Sequence, residues 1–513
     1  MTAIAPRRSG IGTHFKNGVL LLASIVFSLV AAEAAVRFID GYGMTSWPLS
    51  EPRAANDAKG DLMDQVPRAP GVDRAWFFTD PAPLLSRVEP PADWWKLYHA
   101  IEANPVGGFT FRPIDAFKAW NSVFVGDPCK NRIVHFAPGQ LWVYDPHDGQ
   151  PLPPYRFLPD ATLPGGLVTN QMGWRGAPIE EPRGVKTVRI VFVGSSTTVD
   201  PHHVPFSWPE FVGHYLNVWA KAKGLPVHFE VLNAGRESII SADIAAVVQS
   251  EVLPLRPDLV LYYEGGNQFW LPSLVPKGKL PQGTPQRPAA GREPPQWLQN
   301  LALYSALATR VQAALLSANA QDDGKEWPKP DYPFVWPQGL DEQDPDLAYP
   351  KLPINLNLIE RDLDHIRRDV ESIGAQFALS SFVWMVKDGL VLDPARHKYI
   401  IEQLNVANYP FRYRDIERLA RFQNRFLAKY AATYGMPFVD IAGNSPLNPD
   451  LFIDAVHTNY AGSRIRGWTT FNLLLPTVEQ HLADGSWPRP WPAGVPNALP
   501  PFQPRHITFA CRQ

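Results

Sequence analysis

The segment LFIDAVHTNYAGSRIRG (Leu451 to Gly467) sets Asp454 three residues before His457, just ahead of a stretch that reads as a helix from near Tyr460. On one turn that spacing lets a carboxylate hold an imidazole through Nδ1 and leaves Nε2 free as a base. The bland alternative is a solvated Asp beside a capping His. Far upstream, the apolar run VRIVFV stops at Gly194 and gives way to four hydroxyl residues, Ser195, Ser196, Thr197 and Thr198. Such a tetrapeptide serves as an anion-binding turn or as an N-cap, since Ser and Thr side chains satisfy the orphan amides of a following helix. Two more segments end in small or amide residues, Asn233-Ala234-Gly235 and Gly265-Gly266-Asn267. Each is a common turn by itself. What matters is whether one scaffold gathers them.

The surrounding pattern supplies that scaffold. The strand TVRIVFV is followed by a helical stretch around Pro209 to Lys223, then the strand HFEVLNAG, a helix from about Ser241 to Leu253 and the strand PDLVLYYEGGN. A helix from about Leu356 to Ile373, the strand AQFALSSF, a helix around Arg414 to Tyr434 and the strand MPFVDIAG complete the series. Strands that are apolar throughout and separated by helices imply a parallel sheet covered on both faces, a doubly wound three-layer α/β domain. In open parallel sheets ligands collect beyond the carboxyl ends of the strands. The hydroxyl run, NAG and GGN all fall there.

With those four segments in this order, the chain resembles the SGNH, or GDSL-type, hydrolase superfamily. That family reads Gly-Asp-Ser in its first block, a Gly in the second, Gly-x-Asn in the third and Asp-x-x-His in the last. Here these become Gly194-Ser195-Ser196, Gly235, Gly265-Gly266-Asn267 and Asp454-Ala455-Val456-His457. The approach TNQMGWRGAPIEEPRGVKTVRIVFVG (Thr169 to Gly194) is similar to that of membrane-anchored bacterial members, and the match covers roughly Thr169 to Gln480. Ser195 stands where the family usually has Asp, and Gln268 follows Asn267 where Asp is common. The resemblance implies Ser196 as nucleophile, His457 as general base and then acid, and Asp454 as the group that orients the imidazole. It implies an oxyanion hole from the backbone N–H groups of Ser196 and Gly235 and the side-chain amide of Asn267, with no cofactor. The remaining hydroxyls, Ser195, Thr197 and Thr198, are expected to cap the helix and orient its loop. Arg236 and Glu237 are expected either to shape an acceptor pocket or to form a surface ion pair.

The function implied is an exported serine ester hydrolase for acyl esters, with O-acylated carbohydrate as substrate class. An O-acyltransferase modifying a cell-surface polysaccharide uses the same acyl-enzyme. A non-catalytic glycan-binding or assembly protein on the same fold is the alternative of another class; its mark would be a missing nucleophile, base or oxyanion Asn, and none is missing.

The totals agree. In 513 residues, 48 Lys and Arg against 50 Asp and Glu give a formal charge of -2, which argues against a general nucleic-acid binder, whose affinity rests on a basic surface. Oligomeric state is not legible. Asn17 to Ala32 carries no charge, follows Arg7, Arg8 and Lys16, and reaches spanning length when Glu33 to Phe38 are added. The basic residues in front place the N-terminus in the cytoplasm and the rest in the periplasm or outside the cell. The segment stays as an anchor, or it is a signal peptide cut near Ala32-Glu33-Ala34, or it is a buried soluble helix.

The domains expected are therefore a signal anchor or signal peptide (1–38), a Pro- and aromatic-rich, irregular β-rich lead-in (39–182), the SGNH-like domain (183–482) and a Pro-rich tail (483–513). An insertion or lid at 271–350 interrupts the third of these, being dense in Pro, Gly, Gln and Trp. Cys129 and Cys511 either pair or stay free thiols. His202 and His203 invite a metal, but adjacent side chains do not converge and no partner cluster is evident, so no metal is expected.

Overall fold

The computed structural model describes residues 11–40, 42–47, 49, 60–84, 143–144, 157, 159–162, 167–201, 204–237, 239–271, 274–280, 294–318, 326–327, 329–330, 332–393, 396–500 and 504–505. Cys129, Cys511, His202 and His203 lie outside them. The chain divides into two compact units. One comprises Met1–Lys59, Ala289–Asp323 and Asp393–Arg396; the other comprises Gly60–Pro288, Gly324–Leu392 and His397–Gln513.

The larger unit is built on five parallel strands, β1 (Thr187–Gly194), β2 (His228–Asn233), β3 (Leu259–Tyr263), β4 (Gln376–Ser380) and β5 (Phe438–Val439), in spatial order β2-β1-β3-β4-β5. Pairing is in register from Thr187 opposite His228 and from Ile190 opposite Leu259. β1 and β3 are buried along their whole length, as their uninterrupted apolar runs require when helices cover both faces. The exception, Arg189, is buried in β1 and held by the Glu230 carboxylate of β2 and by the carbonyls of Leu255 and Glu180, each at 2.9 Å. A buried charge is tolerable only when its donors are filled.

From β1 the chain steps outward to β2 and then returns past β1 to β3, so the strand order reverses between β1 and β3. That reversal opens a crevice beyond the carboxyl ends of these two strands. The short helix α2 (Ser196–Val199) begins there, directly after β1. Helix α3 (Trp208–Ala222) starts where the sequence says it should: Ser207 precedes it, Pro209 sits in its first turn, and Glu210 Oε2 reaches back to accept from the Ser207 amide at 2.7 Å. Its apolar face (Phe211, Val212, Tyr215, Leu216, Trp219) is buried against β2 and the last helix.

Helix α4 (Ser241–Val247) continues as a π-turn over Val248–Val252 and a 3-10 turn over Leu253–Leu255, where the sequence suggested one regular helix. The fold then passes through α5 (Gln296–Ala302) and α6 (Ala306–Ala318), both in the smaller unit, and returns with α7 (Leu356–Ser372), α8 (Tyr413–Thr433) and α9 (Tyr460–Ala483). α9 packs on α3, and α7 packs on α4.

The lead-in and the expected insertion are placed as follows. Most of the lead-in lies outside the described residues; those described give a helical turn at Gly60–Met63, a 3-10 turn at Arg74–Phe78, isolated β-bridges, and one two-residue strand, Val143–Tyr144, paired with Pro504–Arg505 of the tail. From Gly60 on, its described part packs within the α/β unit. Phe77 packs edge-on against Trp468 of α9 at 5.7 Å, and Arg464 donates to the Phe77 carbonyl at 2.8 Å. The expected insertion at 271–350 is divided between the two units. Its flanks belong to the α/β unit, with Val335 donating to the Leu274 carbonyl at 2.7 Å and Trp336 edge-on to Phe422 at 4.8 Å, whereas residues 289–323 belong to the unit that contains the N-terminal helix, α1 (Ile11–Asp40).

Candidate active site

At the end of β1 the backbone turns so tightly that a side chain at Gly194 is excluded: a Cβ there would lie 2.1 Å from the Tyr263 carbonyl oxygen of β3. The turn delivers Ser196 as the first residue of α2, partly exposed, with its amide among those a helix start leaves without an intrahelical acceptor. Thr198 Oγ1 donates to the Tyr263 carbonyl at 2.9 Å, and Trp208 Nε1 to the Thr197 carbonyl at 2.8 Å. Asp200, at φ 65°, ends α2; its Oδ2 accepts from the Trp208 amide at 2.8 Å, and its Oδ1 from Thr458 Oγ1 at 3.3 Å. Burial raises the Asp200 carboxyl above the ordinary range, against the pull of Arg466 and Arg175. Arg175, from the lead-in, clamps the same loop through the carbonyls of Val199, Pro201 and Val204.

The last block is a short loop ahead of α9, whose N-cap Asn459 accepts from the Gly462 amide at 3.0 Å. Within it Ile453 donates to the His457 carbonyl at 2.9 Å. Asp454 Oδ1 accepts the amides of Val456 at 2.9 Å and His457 at 2.8 Å, which leaves Oδ2 to face the ring, 2.7 Å from His457 Nδ1. His457 Nε2 lies 2.8 Å from Ser196 Oγ. Burial pushes the Asp454 carboxyl up, but the bonds from the His457 ring and from the two amides outweigh it and hold the group below its usual value. Arg466, buried on α9, joins the two loops by donating to the Thr197 carbonyl at 3.1 Å and the Val456 carbonyl at 3.4 Å.

The third block is organised by a residue the sequence reading passed over. Glu264, buried between β3 and GGN, accepts the amides of Gly266 and Asn267 through Oε1, each at 2.8 Å, and the Ser195 hydroxyl through Oε2. One carboxylate thus ties the Ser195-Ser196 turn to the Asn267 loop. Ser195 occupies the N-cap position of α2, but its side chain makes no cap bond, contrary to expectation. Asn267 is exposed, and its Nδ2 donates one hydrogen to the Ile239 carbonyl at 2.8 Å, leaving the second. Gln268 accepts from the Ser241 amide at the start of α4.

Gly235 differs from its expected role. Its amide donates to Asn233 Oδ1 at 3.0 Å, and what the position demands is the absence of a side chain, since a Cβ would lie 2.6 Å from the Val199 nitrogen. Arg236 and Glu237 are both buried, so neither is a surface pair; Arg236 bonds Glu251, which also accepts from Trp174 Nε1 at 2.8 Å.

Glu264 has a testable signature. Burial, opposed by its hydrogen bonds from Ser195 and the loop amides, raises its carboxyl above the usual 4.5. Between 4.5 and the raised value the folded chain holds a proton that the unfolded chain has lost, so stability falls as pH rises through that window. Glu264→Gln keeps an acceptor for the loop amides and removes the ionisation. Melting temperatures from pH 4 to 8 should show a flatter decline for Glu264→Gln than for the parent, and a lower value throughout for Glu264→Ala, which leaves the loop amides without their acceptor.

The chain is thus a doubly wound α/β protein with a serine, a histidine and an aspartate in hydrogen-bonding series at the switch point of its sheet. No family model matches it, and no curated protein does. Among solved structures it is similar to a GDSL-like lipase from Bacteroides thetaiotaomicron, at 15% identity over 57% of this chain and 88% of that one, with a TM-score of 0.26. It is also similar to Axe2, an acetylxylan esterase from Geobacillus stearothermophilus, at 14% identity over 56% of this chain and 93% of that one, with a TM-score of 0.30.

Proposed function

We propose that this chain is an exported serine acyl hydrolase of the SGNH type that works through an acyl-enzyme on Ser196. The observation that carries the reading is the unbroken series Asp454 Oδ2, His457 Nδ1, His457 Nε2, Ser196 Oγ, with separations of 2.7 and 2.8 Å at its two junctions. A serine hydroxyl is a poor nucleophile until a base takes its proton. His457 Nε2 takes it as Oγ attacks the acyl carbonyl, and Asp454 stabilises the imidazolium that results. The oxyanion is met by the Ser196 amide and the second hydrogen of Asn267 Nδ2, which the Ile239 bond leaves available. Collapse expels the alcohol, which takes the proton from Nε2, and water repeats the sequence on the ester carbon. Export rests on Phe15–Asp40, a helix long and apolar enough to cross a membrane, with Arg7, Arg8 and Lys16 at its N-terminal side.

The substrate class is an acyl ester, with O-acylated carbohydrate the first to test. The full chain in detergent, given an activated acetyl ester, should release acetate. Oligosaccharide acceptor added to the same reaction, with mass spectrometry of the sugar, separates transfer from hydrolysis. Glycan capture that survives alanine at both Ser196 and His457, with no ester turnover, would instead make this a binding protein.

Asn267→Ala tests the oxyanion assignment. Losing one preorganised donor costs about 10²- to 10³-fold in kcat. KM should move little, because the donor is aimed at charge that exists only in the transition state. A fall confined to KM would place Asn267 in substrate binding instead.

A further inference from the structure

The last turns of α1 are engaged by the hairpin α5–α6 within the same unit. Glu33 Oε2 accepts the Ser305 hydroxyl at 2.7 Å and the Leu307 amide at 3.0 Å, and Oε1 accepts the Ala306 amide at 2.9 Å. A carboxylate from one helix therefore fills the anion position at the start of another. One turn on, Arg37 is buried, pairs with Glu33 at 2.6 Å and donates to the carbonyls of Tyr304 at 2.8 Å and Gly43 at 2.7 Å. Arg310 of α6 bonds Asp40, and Leu49 donates to the Leu303 carbonyl at 2.9 Å.

Beside this polar seam lies an apolar groove of about 680 Å³, walled on one side by Leu29 and Val30 of α1 and on the other by Trp47, Trp297, Leu301 and Val311. Its surroundings are unusually bare for a surface in water. Trp47 is 73% exposed, Trp297 66%, Leu303 54%, Leu301 46% and Leu315 40%. Contiguous apolar exposure on this scale marks an interaction surface. Depth says which one. About twenty residues rising 1.5 Å each cross a hydrocarbon core of roughly 30 Å. Counted from Phe15, that length ends near Ala34, so Leu29 and Val30 fall inside the core and the Glu33–Arg37 seam falls at its edge. The groove's other wall, fixed to α1 by that seam, shares the depth of Leu29 and Val30. Trp47, Trp297 and Tyr304 then lie where aromatic side chains favour a membrane boundary.

We propose that α5–α6 is a membrane-interfacial foot: it lies in the outer leaflet of the bilayer that α1 spans, and lipid acyl chains fill the groove. This rests on the reading of α1 as a retained membrane span. Cutting at Ala32-Glu33-Ala34 would remove both the carboxylate that caps α6 and the Leu29–Val30 wall, so the helix stays with the mature chain. The α5–α6 hairpin is then an anchor on the membrane surface, not a lid.

The test uses the full chain with Cys129→Ser and Cys511→Ser, reconstituted into vesicles of phosphatidylethanolamine and phosphatidylglycerol. Single cysteines at Leu22, Leu301, Leu315 and Val185 carry a nitroxide, all at exposed positions where a label does not disturb packing. Power saturation compares collision with oxygen, which dissolves in lipid, against a water-soluble nickel chelate. Labels at 301 and 315 should favour oxygen as the label at 22 does, while the label at 185 favours nickel. Lipid exposure at 22 with nickel access at 301 and 315 would overturn the foot and leave the span standing. Nickel access at all four sites would overturn the span and the foot with it. Labels at 301 and 315 shielded from both reagents would mean a protein partner covers the groove, and the proposal would fall.

Discussion

Ser196→Ala is expected to lower kcat for an activated acetyl ester by about 10⁶-fold, the scale seen when a triad member that acts in concert with the others is removed. The only change is loss of the oxygen proposed to attack. Ser196 Oγ meets His457 Nε2, and the fold around it is held by other groups: the Thr198 bond to Tyr263, the Trp208 bond to Thr197 and the Arg466 bridge. The variant should therefore keep the parent's melting temperature. What remains is catalysis by the oxyanion donors and by binding alone, about 10³- to 10⁴-fold above water. Steady-state kinetics with a melting curve decide the matter, and undiminished turnover in a folded variant would remove Ser196 as the nucleophile.

That expectation draws on parts of the chain that were unequally legible. β1 and β3 read clearly because burial on both faces leaves no polar alternation to confuse them, and α3 read clearly because Ser207, Pro209 and Glu210 signal its start locally. The Asp454–His457 pairing is also local, three residues on one loop. The meeting of His457 with Ser196, 261 positions apart, came from the order of the motifs; no periodicity in the sequence encodes it.

The residues missed are of one kind, buried charges whose partners are distant. Glu264 reads as the polar end of a strand, yet its hydroxyl partner Ser195 is 69 positions away. Arg175 and Arg466 drew no reading from sequence, yet both donate to carbonyls around the Ser196 turn. A signal for Glu264 was present in hindsight: a lone carboxylate wedged between a fully buried Tyr-Tyr pair and two glycines has no solvent to face. The division of 271–350 had no such signal, because what draws 289–323 away is Glu33, 272 positions before Ser305. Gly235 shows the opposite error. The motif named a backbone donor, but the amide is committed to Asn233, and only geometry reveals that.

The second large effect is expected from Asp454→Asn, and its cause is the proton's location more than lost charge. Oδ1 of residue 454 must keep accepting the amides of Val456 and His457, so the new amide nitrogen has to face His457 Nδ1. An amide nitrogen donates, which forces Nδ1 to accept and moves the ring hydrogen to Nε2. Nε2 then presents a hydrogen to Ser196 Oγ and cannot take one from it. In a serine protease the same change leaves the geometry intact and costs about 10⁴ in kcat, and the same loss is expected here at neutral pH with little change in melting temperature. Hydrogen bonds hold the parent's Asp454 carboxyl below its usual 3.8, so the carboxylate that the substitution removes is present at neutral pH. A variant within tenfold of the parent would mean that His457 is oriented by something other than Asp454.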